Sequence, residues 1–479
     1  MNERHLPGLL PPARAGDPRV VYSPVFTGSN KGRFGRTLRV ILAVGALGYA
    51  MGASADTLLI ENVTLIDGTG RPPVAGASVL IDEDRIVLIS RDRISAPNGT
   101  RRIDGSGQFL IPGLMDMHIH LQGSVEVGPD GLSTTSEDRS SGVRALHGYL
   151  YAGVTSVFDA GNVPDYILGL REDERSGTLV SPRIFATGGI VTYPGSHGSE
   201  WGTVVDSWPE AIPALDAHIE RQPDILKLTF EERGWGSRPM IPLLPVGLMQ
   251  RIIHYYNDRG IRTTVHTSSE YRARQAIFAG VDSLAHPVIQ GPITDDFARL
   301  MGAKKTPMVT TLTIGENYSR LAEHPEYLDE PLYRATLTAD EIETLKTEKR
   351  KEYQERKWTW WMQIMTTIAQ ENLRKISDAG GVLVAGTDQT TGPALHRELE
   401  LLADAGISPV EIIRIATLNG AIFLGMEREL GSVEEGKIAD LVLLAADPAR
   451  DINNAKQVVQ VIKGGRLIDR SKLDLPVNR

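Results

Sequence analysis

Residues 113–121 read GLMDMHIHL, an apolar run closed by two histidines, His118 and His120, with one residue between them. In a β-strand, residues i and i+2 point to one face, so this spacing aims both imidazoles at the same point in space. A pair so placed can hold a metal ion. It can equally line a pocket or sit half exposed at a strand end, because a lone HxH is a common and weak pattern. Any further ligands have to come from elsewhere in the chain.

Working outward, the run at 111–119 is the first of a series. Short β-branched or apolar runs recur at 153–161 (GVTSVFDAG), 182–189 (PRIFATGG), 224–230 (DILKLTF), 261–267 (IRTTVHT), 281–287 (VDSLAHP), 307–313 (PMVTTLT) and 381–388 (GVLVAGTD). Helix-like segments such as LMQRIIHYYNDRG and EYRARQAIFAG lie between them, several ending in a glycine where a C-cap would sit. Eight strands, seven connections and a helical segment after the last predict a (β/α)8 barrel over 111–428. A doubly wound open sheet would call for a glycine-rich phosphate loop after its first strand, and the sequence has none. Two β-rich stretches flank this middle, one within 56–110 and one within 429–479. Each is too small to bury a core alone, so they are expected to pack together as one small β-sandwich.

The chain has 479 residues, 41% hydrophobic and 23% charged, which is ordinary for a globular protein with a large core. Its net charge of −9 argues against a nucleic-acid or anionic-membrane surface and leaves small neutral or amphipathic substrates open. There is no cysteine, so disulfides, thiolate ligands and a cysteine nucleophile are excluded, and any metal must be held by nitrogen and oxygen. Residues 1–55 differ in kind. Lys31, Arg33, Arg36 and Arg39 precede VILAVGALGYAMG and then Ala53-Ser54-Ala55, a small-x-small pattern. The apolar stretch is too short for a stable membrane span. It reads as an export signal with the mature chain starting near Asp56, which would make the protein periplasmic or secreted. The alternative is a tail with a buried helix.

In a (β/α)8 barrel the chemistry sits at the C-terminal ends of the strands. Strand one offers His118 and His120, strand four Lys227, strand five His266, strand six His286 and strand eight Asp388. Singly, Lys227 could snorkel, His286 could cap a turn before Pro287, and Asp388 could be a helix N-cap. Six such residues at the same end of five strands are a much less likely accident. The connection 314–380 is unusually long, with a charged helical run leading into WTWWMQ. Its tryptophans read as helix packing ahead of a substrate surface. His147, His218 and His254 lie on helix patterns and read as surface or packing residues.

These residues, with IPGLMDMHIH, GTD, SPVEIIRIATLNGAIFLGM and GSVEEGKIADLVLL, resemble the metal-dependent amidohydrolase superfamily over most of 57–470, in particular its imidazolonepropionase-related and prolidase-like branch. The resemblance implies that His118, His120 and Asp388 bind one divalent ion, that His266 and His286 bind a second, and that Lys227 bridges them as its N-carboxylated form. Chemistry alone supports the last point: a buried amine is easier to keep neutral, a neutral amine takes up carbon dioxide, and the product is a carboxylate-like ligand. Zinc is the default ion for such ligands, with manganese, cobalt and iron as alternatives. The resemblance further implies a bridging hydroxide as nucleophile, Asp388 as general base and then acid, and His197 with Tyr193 orienting the substrate or stabilising the oxyanion.

The pattern departs from many relatives after Lys227, where a glycine pair is replaced by LTFEERGW. Glu231, Glu232, Arg233 and Trp235 become candidates for substrate contact, with surface-loop charge as the plainer reading for at least two. The expected substrate is a small molecule with an amide bond, a dipeptide or an N-acyl amino acid. Rival readings are cleavage of lactone, ester, carbamate or urea-type bonds, a mononuclear deaminase using Glu270 of HTSSE, and a non-enzymatic binding module. Monomer and homo-oligomer both stay open.

Overall fold

The computed structural model describes residues 57–121, 125–127, 133–135, 138–232, 240–356 and 359–478. The proposed export signal therefore lies outside the described residues, as do Arg233, Trp235 and Trp358. Among the described residues, no helix is long and apolar enough to cross a membrane.

Eight parallel strands form the barrel: Leu114–Ile119, Val154–Asp159, Arg183–Ala186, Ile225–Thr229, Arg262–His266, Ser283–Leu284, Met308–Val309 and Leu383–Val384. The third strand reaches the fourth through Asp224 N–H, which donates to Ala186 O at 2.9 Å, and through the short extension Val191–Thr192. The last strand closes on the first: Met117 N–H donates to Ala385 O at 2.9 Å, and Asp388 N–H donates to His118 O at 2.7 Å. Every residue of Leu114–Ile119, Val154–Asp159 and Ile225–Thr229 is buried. Such continuous burial marks strands covered on both faces, and it takes in polar side chains as well, Asp116, His118, Asp159 and Lys227 among them. Helices such as Pro164–Arg175, Val246–Asn257 and Gly392–Asp404 pack around them, and one large apolar cluster fills the space between.

The two terminal segments build a single eight-stranded sheet. Leu58–Leu65, Val74–Asp82, Arg85–Ser90, Arg101–Asp104 and Phe109–Pro112 come from one end, and Leu441–Leu444, Val458–Lys463 and Arg466–Leu467 from the other. The halves join where Phe109–Pro112 pairs antiparallel with Leu441–Leu444. Leu58, Ile60, Val79, Leu110, Leu441 and Ile462 from both ends share one core, the core of the small β-sandwich. One expectation is corrected here. The run starting at residue 111 is two strands, because Ile111 and Pro112 belong to the terminal sheet, and the barrel strand begins only at Leu114. Gly113 is the hinge: a Cβ there would stand 2.0 Å from Thr155 Oγ1.

The long connection folds into Leu312–Glu323, Pro331–Thr336, Ala339–Thr344, Leu345–Lys349, Arg350–Glu355 and Thr359–Asp378, with a small core of its own around Leu321, Leu328, Tyr333 and Tyr353. The packing expectation for its tryptophans fails at two positions. Met362 and Met365 face inward, whereas Trp360 and Trp361 are exposed. Helical periodicity puts 362 and 365 on the buried side and leaves their neighbours outside.

Candidate metal centre

The strand ends converge. Opposite Val154–Asp159, the pairing of strand one slips so that the four residues Asp116 to Ile119 face three, Val157 to Asp159, on the partner. Bulges of this kind re-aim side chains beside functional sites. The His118 and His120 rings come to 5.3 Å, and His118 lies 4.5 Å from His286. His118 Nδ1 faces Ala285 O at 3.0 Å and His120 Nδ1 faces Gly161 O at 2.7 Å. A carbonyl only accepts, so both Nδ1 atoms carry the proton and both Nε2 lone pairs point into the centre, the usual arrangement behind a ligating imidazole.

Two groups meet those lone pairs. Lys227 Nζ, 3% exposed as a residue, stands 3.3 Å from His118 Nε2. Asp388 Oδ1 stands 3.2 Å from His120 Nε2 and 3.7 Å from His118 Nε2. Burial pushes the Lys227 amine down to about 8, against the opposing pull of Asp388 and Asp159. Burial alone would raise the Asp388 carboxyl, but His118, His120 and Lys227 outweigh it and hold it below the usual carboxylate range. Asp388 adopts φ 55° and Thr311, whose Oγ1 lies 3.0 Å from His286 Nδ1, adopts φ 29°. Left-handed backbone at two non-glycine positions is the strain that functional sites retain.

The donor chemistry fits a divalent ion. Ligand atoms of His118, His286 and Asp388 all lie within 4.8 Å of one another, and all are nitrogen or carboxylate oxygen. On the far side, the His266 ring lies 4.4 Å from the His286 ring, and the His197 ring stacks on it at 4.8 Å, 18° from parallel. His197 is otherwise open to solvent, on a loop pinned by Thr192 and Thr229, whose hydroxyls donate to His197 O at 2.9 and 3.1 Å. Tyr193 is half-buried against the main apolar cluster, and among the described residues no hydrogen bond or ring contact joins it to these histidines.

The remaining candidates separate cleanly. His218 is buried and bonded to Tyr256 Oη and Thr187 O, each at 2.8 Å, His147 Nδ1 accepts from Asp474 N–H, and His254 is exposed. Glu232 forms a two-pronged pair with Arg272 at 2.8 and 3.0 Å. Glu231 is 1% exposed, with Oε2 2.8 Å from His266 Nε2. Glu270 is fully engaged by Thr294 N–H, the Thr294 hydroxyl and Arg274, so it is a helix-start residue and not a neighbour of the centre.

Two buried carboxylates escaped the sequence reading. Asp116 accepts from Thr387 N–H at 3.0 Å and the Thr387 hydroxyl at 2.8 Å, tying strand one to the loop that carries Asp388; burial pushes its carboxyl up to about 8. Asp159 accepts from Leu121 N–H, Gly161 N–H and Asn162 Nδ2, and so shapes the turn that holds His120. Next to Asp388, residues 389–391 line a cavity of about 400 Å³ whose other wall comes from the long connection, including Glu316, Arg320, Tyr327, Tyr333 and Leu337.

Comparisons agree with this geometry. The amidohydrolase family matches residues 109–468. An imidazolonepropionase from Geobacillus sp. (strain WCH70) is 33% identical over 122 residues, covering 22% of this chain and 27% of that protein. An adenine deaminase from Paracoccus denitrificans (strain Pd 1222) is 33% identical over 445 residues, covering 89% of this chain and 61% of that protein. The chain thus spans about a quarter to six-tenths of the length of these curated relatives. Among solved structures, a Xaa-Pro dipeptidase with methionine in its active site superposes with a TM-score of 0.67 at 23% identity, over 86% of this chain and 99% of the other. A molinate hydrolase gives 0.68 at 21%, over 88% and 96%. These structural likenesses speak for the fold.

Proposed function

Since the chain belongs to the amidohydrolase family, we propose that it is a binuclear metal-dependent hydrolase of amide bonds acting on dipeptides or N-acyl amino acids. The observation that carries this reading is Lys227: a buried amine, eased toward its neutral form, aimed at His118 Nε2 in the middle of the histidine and aspartate cluster. His118, His120 and Asp388 would hold one ion and His266 and His286 another, with Lys227 serving both as the carbamate its neutral amine would form on adding carbon dioxide and losing a proton. Divalent ions there, zinc by default, supply water acidified toward neutral pH and polarisation of the scissile carbonyl.

The chain's own residues do the rest. Asp388, ionised and facing both strand-one histidines, takes the proton of the attacking water and returns it to the leaving amine. His197, at the open edge of the histidine cluster, is suited to orient the substrate carbonyl. The cavity beside residues 389–391 has the volume and the mixed aromatic and charged walls for one side group of an amino-acid-sized substrate. The mononuclear deaminase reading loses support because Glu270 is engaged elsewhere and because it leaves Lys227 without a role.

Amine release from X-Pro, X-Arg and N-acyl aromatic amino acids, measured on metal-quantified protein with and without chelator, tests the reading. Chelator-sensitive release from one class is expected. Ammonia from adenine, or turnover of lactones, carbamates or ureas with no amide cleavage, would replace it with a rival.

A further inference from the structure

Resting on the reading of His286 as a metal ligand, we infer that Glu398 is a positioning residue for that histidine and acts on it through Thr311. Thr311 stands between strand seven and the helix Leu312–Glu323, at the N-cap. A threonine in that place ordinarily turns its hydroxyl onto the free N–H groups of the helix's first turn. Here the hydroxyl makes no such bond, and its Oγ1 lies 3.0 Å from His286 Nδ1 instead. Glu398, reaching over from the helix Gly392–Asp404, does the capping: Leu312 N–H donates to Oε1 at 3.0 Å, and Thr313 N–H and the Thr313 hydroxyl donate to Oε2 at 2.8 and 2.6 Å.

Burial and strain give this exchange of roles its use. Glu398 is 0% exposed, Thr311 1% and His286 2%. A φ of 29° at a β-branched residue is an outlier that persists only where its surroundings over-determine it. The bonds from Glu398 to the next two residues supply that hold. With the Thr311 hydroxyl accepting from His286 Nδ1–H, the lone pair of the ring is left on Nε2, where an ion would need it. Without the carboxylate, the first turn of the helix would draw the Thr311 hydroxyl back to the ordinary cap and release Nδ1.

The test uses full-length protein titrated with Co2+, with metal content after dialysis and the visible Co2+ bands as readouts. Wild type is compared with Thr311→Val, Glu398→Gln and the double variant. Glu400→Gln is the control, because Glu400 lies on the same helix and pairs with Arg397 and Lys456. Each of the first two variants should weaken the ion bound by His286 by ~10–100-fold, and the double variant by no more than the worse single, because both act on one hydrogen bond. Thr311→Ser, which keeps the hydroxyl, should recover most of the loss, and Glu400→Gln should leave the Co2+ affinity unchanged. Wild-type affinity in Glu398→Gln, a double variant weakened by the product of the two singles, or equal weakening in Glu400→Gln would overturn the inference. Should Glu398→Gln fail to fold, Glu398→Asp draws the carboxylate back by one methylene, and wild-type affinity there overturns it equally. A wild type that takes up only one ion would end the two-ion reading. The same comparison on that ion still decides the role of Glu398, since His286 lies in one cluster with His118 and Asp388.

Discussion

At Lys227 and Asp388, burial and charge work in opposite directions and produce complementary groups: an amine eased toward neutrality and a carboxylate held ionised. Lys227→Ala should therefore lower metal occupancy below two ions per chain, measured by elemental analysis; full occupancy would refute the bridge. Asp388→Asn should cut kcat by about 10²–10⁴-fold while much of the metal stays bound, and near-normal turnover in the purified variant would end its assignment as proton carrier. A third residue titrates for structural reasons. His396, buried and bonded through Nε2 to Ala152 O, has its pKa pushed down to about 4 by burial. Its folded value lies below the unfolded ~6.5, so its contribution to stability is complete above pH ~6.5 and is lost as pH falls toward 4. The urea midpoint of His396→Gln should drop less between pH 7.5 and 4.5 than that of wild type; equal drops would show that His396 is not the group responsible. The six candidate ligands stood out in the sequence because each lies in or just after a strand of the same barrel. Glu231 and Glu232 were not distinguishable, since only folding brings Arg272 to one of them and His266 to the other. Asp116 sits in an otherwise apolar run, and only folding brings Thr387, 271 positions away, beside it.

Among elements, the seam between the last strand and the first is tightly closed. A Cβ on Gly386 would meet Val309 Cγ1 at 2.4 Å, His118 Cβ at 2.9 Å and His118 N at 3.0 Å. Gly386→Ala should thus cost ~1–3 kcal/mol in urea unfolding through overpacking and weaken metal binding as well, because strand one moves with it. A loss of stability with untouched metal affinity would mean that the seam does not set the ligand positions. Element types were readable from the sequence because buried parallel strands are short apolar runs closed by glycine-rich turns. Their limits were not. Only pairing reveals that Phe109–Pro112 leaves with one sheet and Leu114–Ile119 enters another.

For the whole molecule, the barrel and the terminal sheet are fastened by Asp440, whose carboxylate accepts from Arg183 at 2.6 and 3.1 Å and from Gly464 N–H at 2.6 Å, while its carbonyl accepts from Gly113 N–H at 2.8 Å. Calorimetry should therefore record one cooperative unfolding transition for both parts, and Asp440→Ala should lower stability by ~3 kcal/mol with metal affinity unchanged. Two separated transitions in wild type would show that the parts unfold independently. The shared sheet also bears on the birth of the chain. Phe109–Pro112 leaves the ribosome roughly 330 residues before Leu441–Leu444 exists, an interval of about 15–65 s at ~5–20 residues per second. Throughout that time each nascent chain carries an open apolar β-edge of the kind that invites pairing with another chain. What removes the hazard is the arrival of Leu441–Leu444, not the completion of the barrel.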